Sequence, residues 1–194
     1  MTIFFTSDLH LGHDRIIDLC GRPFENVNEM NHTIIQNWNL VVEPNDTVFV
    51  LGDVALGKLN ETLPLVEQLR GHKLLVPGNH DRCWSGHKKV RPIDVVRYRN
   101  VGFTILPNIT YFQRWKLCHF PTYGDSYTDD RYPEFRPTLA DNEWLIHGHV
   151  HNMWKQKEMQ INVGVDRWNF FPVAEAQLRQ LMANWTVDIS SKVD

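Results

Sequence analysis

The feature of this sequence that most constrains its fold is a repeated pattern in which a short apolar run is followed at once by Asp, Asn, His or Gly. Apolar runs of about four to eight residues predict buried strands. Open α/β sheets place their sites where strands end. The pattern therefore predicts an α/β protein with one site built from several strand ends. The five polar clusters that end these runs are residues 7–10, 51–53, 77–81, 117–121 and 147–151.

The order of the predicted elements also favours an α/β protein with a mixed sheet. Asn26 followed by Glu29 is typical of a helix start, and Asn60 is a candidate cap for a second helix that Gly71 would end. Residues 173–183 are predicted as a late helix. Early strands alternate with helices, whereas later strands follow one another. The predicted strands are 3–6, 47–51, 73–76, 103–106, 109–112, 115–119, 144–147 and 159–163.

Length and composition exclude several classes of protein. The 194 residues fit a single domain over residues 1–194, and 42% hydrophobic with 22% charged residues is typical of a soluble globular protein. No apolar run approaches the ~20 residues that span a bilayer, and the N-terminus lacks the features of a signal peptide. The net charge of −3 argues against a stable nucleic-acid complex held by charge. Three cysteines at no metal-like spacing fit a reducing compartment, so we expect a cytoplasmic protein without a membrane anchor.

The polar clusters carry side chains that suit metal ions. Asp8 and His10 are two residues apart, as are His149 and His151, so on an extended chain each pair points the same way. A mixture of carboxylate, imidazole and amide suits Mn²⁺, Fe²⁺ or Zn²⁺ better than a cysteine-based structural zinc site. The candidates are too many for one ion, but they fit two ions that share a bridging carboxylate. The candidate ligands are Asp8, His10, Asp53, Asn79, His119, His149 and His151.

Taken together, these clusters resemble the motif series of a known family. Each motif alone is weak, but all occur in order between residues 8 and 151. The series resembles the calcineurin-like metallophosphoesterase superfamily, and the segment around residues 162–169 resembles its small single-domain bacterial and phage members. The resemblance covers residues 3–175. The motifs are Asp8-x-His10, Gly52-Asp53, Gly78-Asn79-His80-Asp81, His119 and Gly148-His149-x-His151.

The resemblance implies a fold and an arrangement of site residues. The expected fold is a four-layer α/β/β/α sandwich with two mixed β-sheets. The cofactors implied are two divalent ions per chain, with Mn²⁺ or Fe²⁺ favoured and Zn²⁺, Ni²⁺ or Co²⁺ as alternatives. By the same resemblance, His80 would be catalytic near the scissile bond, and Asn79 and His80 would contact substrate. Asp8, His10 and His151 would hold one ion, Asn79, His119 and His149 would hold the other, and Asp53 would bridge the two.

The function implied is a metal-dependent phosphoesterase. The chain departs from the protein phosphatase branch, because it has Val54 where that branch has Arg after Gly-Asp, and Asp81 where that branch has Glu. We expect a phosphodiesterase that acts on small nucleotide-like esters such as 2′,3′-cyclic nucleotides, by attack of a metal-bridging hydroxide. A phosphomonoesterase, a single-strand nuclease and a non-catalytic metal-binding scaffold are alternatives. A homodimer is left open.

Some residues near the motifs carry two interpretations. For His13 and His147, packing or support of a ligand is favoured over direct ligation. The long polar segment 120–142 contains tyrosines, Phe135 and two arginines. It could be a lid that stacks a base and clamps phosphate, or a surface loop that packs its own aromatic rings. Trp168, Phe170 and Phe171 are predicted in the core.

Overall fold

The computed structural model describes residues 1–125 and 130–190 and contains two five-stranded sheets. In the first sheet, the strand order is β10-β1-β2-β3-β4, with β1 to β4 parallel and β10 antiparallel to β1. All four parallel strands therefore end at the same edge. The strands are β1 (Ile3–Thr6), β2 (Thr47–Val50), β3 (His72–Leu75), β4 (Phe103–Ile105) and β10 (Val173–Ala174).

The second sheet is also mixed, with the order β5-β6-β7-β9-β8. Its three central strands β6, β7 and β9 run parallel, and an antiparallel strand lies at each edge. The polar residues that follow β6 and β7 therefore also lie at one edge. The strands are β5 (Ile109–Phe112), β6 (Trp115–Cys118), β7 (Trp144–His147), β8 (Gln156–Lys157) and β9 (Gln160–Asn162).

The first four α-helices connect strands of the first sheet, and the last one follows its edge strand β10. The side chain of Asn26 accepts hydrogen bonds from the backbone N–H groups of Asn28 and Glu29, which confirms the predicted start of α2. The α-helices are α1 (Ile16–Cys20), α2 (Val27–Val41), α3 (Leu59–Thr62), α4 (Pro92–Asn100) and α5 (Glu175–Ser190), and 3₁₀ helices cover Leu63–Gln68, Pro133–Phe135 and Val165–Arg167.

The packing forms layers, as the predicted fold class requires. Met30, Ile34 and Trp38 on α2 pack in one core cluster with residues of β1 and β2. A second cluster joins the sheets, with Phe5 of β1 beside Trp115 of β6. On the other side of the second sheet, a third cluster of aromatic side chains gathers around Trp84. The α/β class with two mixed sheets is confirmed.

Two predicted helix boundaries are wrong, and one helix was not predicted. Residues 173 and 174 form β10, because they pair with β1, and the helix starts only at Glu175. The helix expected from Asn60 begins at Leu59 and changes to 3₁₀ geometry at Leu63, since Pro64 has no N–H to donate. The sequence patterns missed α4, which begins with a proline at its first position. Among the described residues, no helix is both long enough and apolar enough to cross a bilayer.

Candidate metal centre

The predicted ligands converge where the parallel strands of both sheets end. The backbone N–H of His149, after β7, donates to Asp8 Oδ2, after β1, at 2.9 Å, and so links the two sheets directly. The N–H groups of Asp8 and His10 donate to carbonyl oxygens of Gly52 and Asp53 at 3.0 Å. These bonds fix the ligand-bearing turns against one another. The structure therefore brings together Asp8, His10, Asp53, Asn79, His119, His149 and His151, as the motif order predicted.

Most of these ligands lie on unusual backbone. Five of them have positive φ between 45° and 72°, a region that non-glycine residues rarely adopt. Such conformations cost on the order of 1–3 kcal/mol each and persist at sites where the surrounding structure imposes them. The strain turns the side chains after each strand back toward a common centre. The five residues are Asp8, His10, Asp53, His149 and His151.

Two glycines next to the ligands are needed for space. A Cβ on Gly52, which has φ of +88°, would lie 2.5 Å from His119 Nδ1 and 2.6 Å from the backbone of Gly78. A Cβ on Gly148 would overlap the side chain of Ser7 and lie 2.5 Å from Asp8 Oδ2. Neither position accepts a side chain without moving a ligand. The two glycines therefore allow the backbone to approach the ligands closely.

The predicted ligands of one ion are Asp8, His10 and His151, here called the first group. Two buried polar atoms of this group have no hydrogen-bond partner among the described residues. His10 Nε2 lies 4.0 Å from Asp8 Oδ1 and 3.6 Å from Asp53 Oδ2, and His151 Nε2 lies 3.9 Å from Asp8 Oδ1. Among the described residues, neither Asp8 Oδ1 nor His10 Nε2 has a hydrogen-bond partner, although both residues are buried. A buried carboxylate oxygen with imidazole nitrogens at these separations fits a divalent cation. These residues therefore fit the first of the two implied ions.

The predicted ligands of the other ion are Asn79, His119 and His149, here called the second group. They lie on the side of Asp53 away from the first group. His119 Nε2 lies 3.5 Å from Asp53 Oδ2, 3.1 Å from Asn79 Oδ1 and 3.2 Å from His149 Nδ1. Asp53 Oδ2 is thus within 4 Å of both His10 Nε2 and His119 Nε2. One carboxylate lies between the two groups, which is the position that a bridging ligand requires.

Hydrogen bonds on the far side of the imidazole rings orient them toward the centre. His119 Nδ1 donates to the carbonyl oxygen of Leu51 at 2.7 Å, so its Nε2 is available as a ligand. His149 Nε2 lies 2.6 Å from Asp125 Oδ2, which leaves its Nδ1 facing His119. A ligating histidine typically donates its other nitrogen in this way. Nε2 of His119 and Nδ1 of His149 therefore face each other at the centre of the site, at 3.2 Å.

Neighbouring side chains also contact the histidines of the first group on the side away from the centre. His151 Nδ1 lies 3.4 Å from Asp166 Oδ2, and Nδ1 of His10 lies 3.3 Å from Nδ1 of His13. Arg22 holds Asp166 through two bonds of 2.8 and 2.9 Å. Sequence reasoning missed the supporting residues Asp125, Asp166 and Arg22. Asp166 lies in the segment that resembled the family, and Asp125 lies in the long polar segment, so both had a weak signal, whereas Arg22 had none.

Burial and close charges shift the pKa values of these groups in opposite directions. Burial raises the pKa of Asp8 above its usual value and lowers the pKa of His149 to about 4. Burial also lowers the pKa of His119, but the charge of Asp53 offsets this and raises it to about 9. Burial disfavours charge on His151 too, yet Asp8 and Asp166 hold its pKa well above the usual range. The pKa values of His119 and His151 are therefore coupled to the neighbouring carboxylates.

His80 and Asn79 lie where two depressions of the surface meet. A cleft of about 340 Å³, here called the metal cleft, is lined by His10, Asp53 and His149 among others. A neighbouring groove of about 410 Å³ shares only Asn79 and His80 with it. The His80 side chain is 42% exposed, and its Nε2 lies 4.0 Å from Asp53 Oδ2. His80 is thus beside the metal centre and open to an incoming molecule.

Each of the two interpretations of the segment 120–142 holds for some of its residues. Tyr132 and Phe135 pack against Trp84, as expected of a loop that buries its own aromatic rings. Arg131, in contrast, lines the metal cleft, and its guanidinium lies 3.4 Å from His149 Nε2. Tyr127 lies outside the described residues. One arginine of this segment therefore faces the site, while two of its aromatic rings do not.

The remaining ambiguous residues lie behind the site or in the core. His147 is fully buried, its Nδ1 lies 2.8 Å from the carbonyl oxygen of Gly148, and its ring packs on Trp154. Burial lowers the pKa of His147 to about 3, so the ring is neutral. Trp168 and Phe170 are partly buried and pack against the two main core clusters.

The chain is similar to one protein family, to two proteins from an archaeon and a phage, and to one solved structure. The family model for calcineurin-like phosphoesterases matches residues 1–170. An uncharacterized protein of Methanocaldococcus jannaschii is 34% identical over 181 residues, which cover 89% of this chain and 86% of that protein. The gene 66 protein of Mycobacterium phage L5 is 31% identical over 188 residues, which cover 85% and 86% of the two chains. The crystal structure of a protein of unknown function from Aquifex aeolicus has a TM-score of 0.66 at 24% identity, covering 93% of this chain and 98% of that one, and so shares the fold.

Proposed function

Because the chain belongs to the calcineurin-like phosphoesterase family, we propose that it is a dinuclear metal-dependent phosphodiesterase that acts on small nucleotide-like phosphodiesters. The observation that carries this proposal is the pair of buried atoms without partners, Asp8 Oδ1 and His10 Nε2, at the centre of converging ligands. A buried carboxylate oxygen left without a counter-charge is costly, and a cation removes that cost. The cleft beside these atoms opens to solvent at His80.

The residues would divide between two ions. Two divalent ions would activate water at neutral pH and neutralise the charge that develops on the phosphoryl oxygens. The hydrogen bonds described above hold each imidazole ring in place before an ion binds. Asp8, His10 and His151 would hold one ion, Asn79, His119 and His149 would hold the other, and Asp53 would contact both. Mn²⁺ and Fe²⁺ fit this donor set best, with Zn²⁺, Ni²⁺ and Co²⁺ as alternatives.

His80 would act on the leaving group. Its backbone N–H donates to Asp53 Oδ1 at 2.9 Å, so the residue is fixed to the proposed bridging ligand. Its imidazole ring is exposed at the mouth of the metal cleft, where a bound ester would lie. We assign it the role of donating a proton or a hydrogen bond to the leaving oxygen, and we assign Asn79 and His80 to substrate contact.

The charge of the site supports a diester with one negative charge. Two divalent ions (+4), the carboxylates of Asp8 and Asp53 (−2) and the attacking hydroxide (−1) would give the site a charge of +1, which a singly charged phosphate balances. The metal cleft of about 340 Å³ falls in the range of small-molecule sites. A 2′,3′-cyclic nucleotide is therefore the substrate we expect to be hydrolysed well.

A phosphomonoesterase is the second candidate, and one observation favours it. Arg131 lines the metal cleft, where a guanidinium could take the additional charge of a terminal phosphate. The sequence argument against this activity relied in part on the missing arginine after Gly52-Asp53, and Arg131, from the segment predicted as a possible phosphate clamp, is an arginine at a different position.

Hydrolysis assays with paired aryl esters distinguish these candidates. With Mn²⁺ added, we expect a higher kcat/KM for bis(p-nitrophenyl) phosphate than for p-nitrophenyl phosphate, together with turnover of 2′,3′-cyclic AMP. Arg131→Gln should leave the diester reaction nearly unchanged. A preference for the monoester that Arg131→Gln abolishes would overturn the diester assignment. Absence of hydrolysis of every ester by fully metal-loaded protein would instead support a non-catalytic scaffold.

A further inference from the structure

The groove that adjoins the metal cleft is strongly basic. It is lined by Arg82, Lys88, Lys89 and His87, and none of the described residues that line it is acidic. Lys88 and Lys89 are exposed, so their charged ends are free to meet a ligand. The whole chain carries a net charge of −3, so this concentration of positive charge is local to the groove. A local excess of cations on an acidic protein is the expected footprint of an anionic ligand.

The groove also offers one partly exposed aromatic ring. Tyr132 lines the groove and keeps part of its surface open to solvent. Its ring packs nearly perpendicular to that of Trp84, which is buried, with the two ring centroids 5.6 Å apart. Aromatic rings beside Lys and Arg are the combination that binds the bases and backbone of single-stranded nucleic acid.

The groove is continuous with the proposed catalytic site. Asn79 and His80 belong to both depressions, so a ligand that fills the groove must pass His80 to reach the ligands of the metal cleft. The groove volume of about 410 Å³ is sufficient for a nucleotide-sized group.

We propose that this basic groove is a subsite for the nucleotide next to the scissile phosphate, so that single-stranded oligonucleotides are among the phosphodiesters that the chain hydrolyses. This inference rests on the proposed function for the cleavage step, but not for binding. In it, Lys88 and Lys89 contact the neighbouring phosphate, and Tyr132 stacks on its base. Binding through so few charges is weak and sensitive to salt, in keeping with the acidic chain as a whole.

The test compares Lys88→Ala/Lys89→Ala with Arg99→Ala/Arg114→Ala, which removes two exposed charges that line neither depression. Binding is measured with metal-loaded protein and a fluorescent phosphorothioate oligothymidylate, which resists hydrolysis. We expect Lys88→Ala/Lys89→Ala to weaken binding at least about tenfold and to reduce the slope of log K against log salt by about 0.7, the value for one phosphate contact on a single strand. The control pair should change neither quantity.

Hydrolysis of bis(p-nitrophenyl) phosphate, which has one phosphate, should be equal in both variants and in the unaltered protein. Equal loss of oligothymidylate binding in both double variants, or no loss in either, would overturn the subsite. Competition by inorganic tripolyphosphate as strong as that by the oligonucleotide would overturn the nucleic-acid assignment, because stacking on Tyr132 would then contribute nothing. Absence of aryl diester hydrolysis would contradict the proposed function, whereas the binding result would still decide the subsite.

Discussion

At the scale of single residues, the site depends on conformations that ordinary residues avoid. Asp8, His10, Asp53, His149 and His151 all have left-handed backbone, and Gly52 and Gly148 leave no room for a Cβ. The folded chain sustains this strain because hydrogen bonds between the ligand-bearing turns fix each residue. The result is a set of side chains that face one centre before any ion arrives, which reduces the cost of binding.

His80 is the residue whose chemical role is most open to direct test. His80→Ala should lower kcat about 10²–10⁴-fold, since that is the usual contribution of a positioned acid. Metal content should not change, because the ring is not among the proposed ligands. An ester with a p-nitrophenolate leaving group, which needs no proton, should be affected less than an ester with an alkoxide leaving group.

His32→Ala is the matched control for this variant, because His32 is exposed on α2. It should retain the activity of the unaltered chain. If His80→Ala lost a metal ion, or if it slowed both esters equally, the role of His80 as a proton donor would be wrong.

At the scale of elements, a buried ion pair connects parts of the chain that are distant in sequence. Arg22, just after α1, holds Asp166 in the 3₁₀ helix Val165–Arg167, and both side chains are almost fully buried. Arg22 also donates to the carbonyl oxygens of Asp8 and Leu9 after β1, at 2.8 and 3.1 Å. The pair therefore joins three elements and places a carboxylate next to His151.

Asp166→Asn tests whether this arrangement positions His151. The substitution keeps the shape of the side chain but removes the charge, so affinity for one of the two ions should fall about 10–100-fold. Metal affinity measured by calorimetry is the readout, with thermal unfolding as the check on folding. Asp141→Asn, at an exposed position, should change neither, and equal metal affinity in both variants would contradict the positioning role.

At the scale of the whole molecule, the buried charges near the site depend on one another. The charge of Asp53 raises the pKa of His119 to about 9, and Asp8 and Asp166 hold that of His151 well above its usual value. Both rings are therefore protonated at pH 7 and must lose a proton before they can ligate a cation.

Metal binding at pH 7 should therefore release about two protons per chain, and affinity should fall as the pH is lowered. Titration of Mn²⁺ into chelator-treated protein, in two buffers with different ionisation enthalpies, measures this release. Heats that do not depend on the buffer would show that the histidines are already neutral and would contradict this electrostatic account.

The sequence predicted well those features that are encoded over a few neighbouring residues. Each proposed ligand follows an apolar run, so the strand ends and their convergence could be inferred together. Contacts between distant segments carried no such signal, which is why Arg22 and its bond to Asp166 were missed. Val173 and Ala174 suit a strand as well as a helix, and only their pairing with β1 decides between the two.

The metal content of Asp53→Asn tests the central claim most directly, because Asp53 is the residue proposed to contact both ions. Elemental analysis of the unaltered chain should find two divalent ions, and Asp8→Asn should retain about one. Asp53→Asn should lose affinity for both, while Asp141→Asn should keep two. A single ion in the unaltered chain, or a full complement in Asp53→Asn, would contradict a dinuclear centre bridged by this carboxylate.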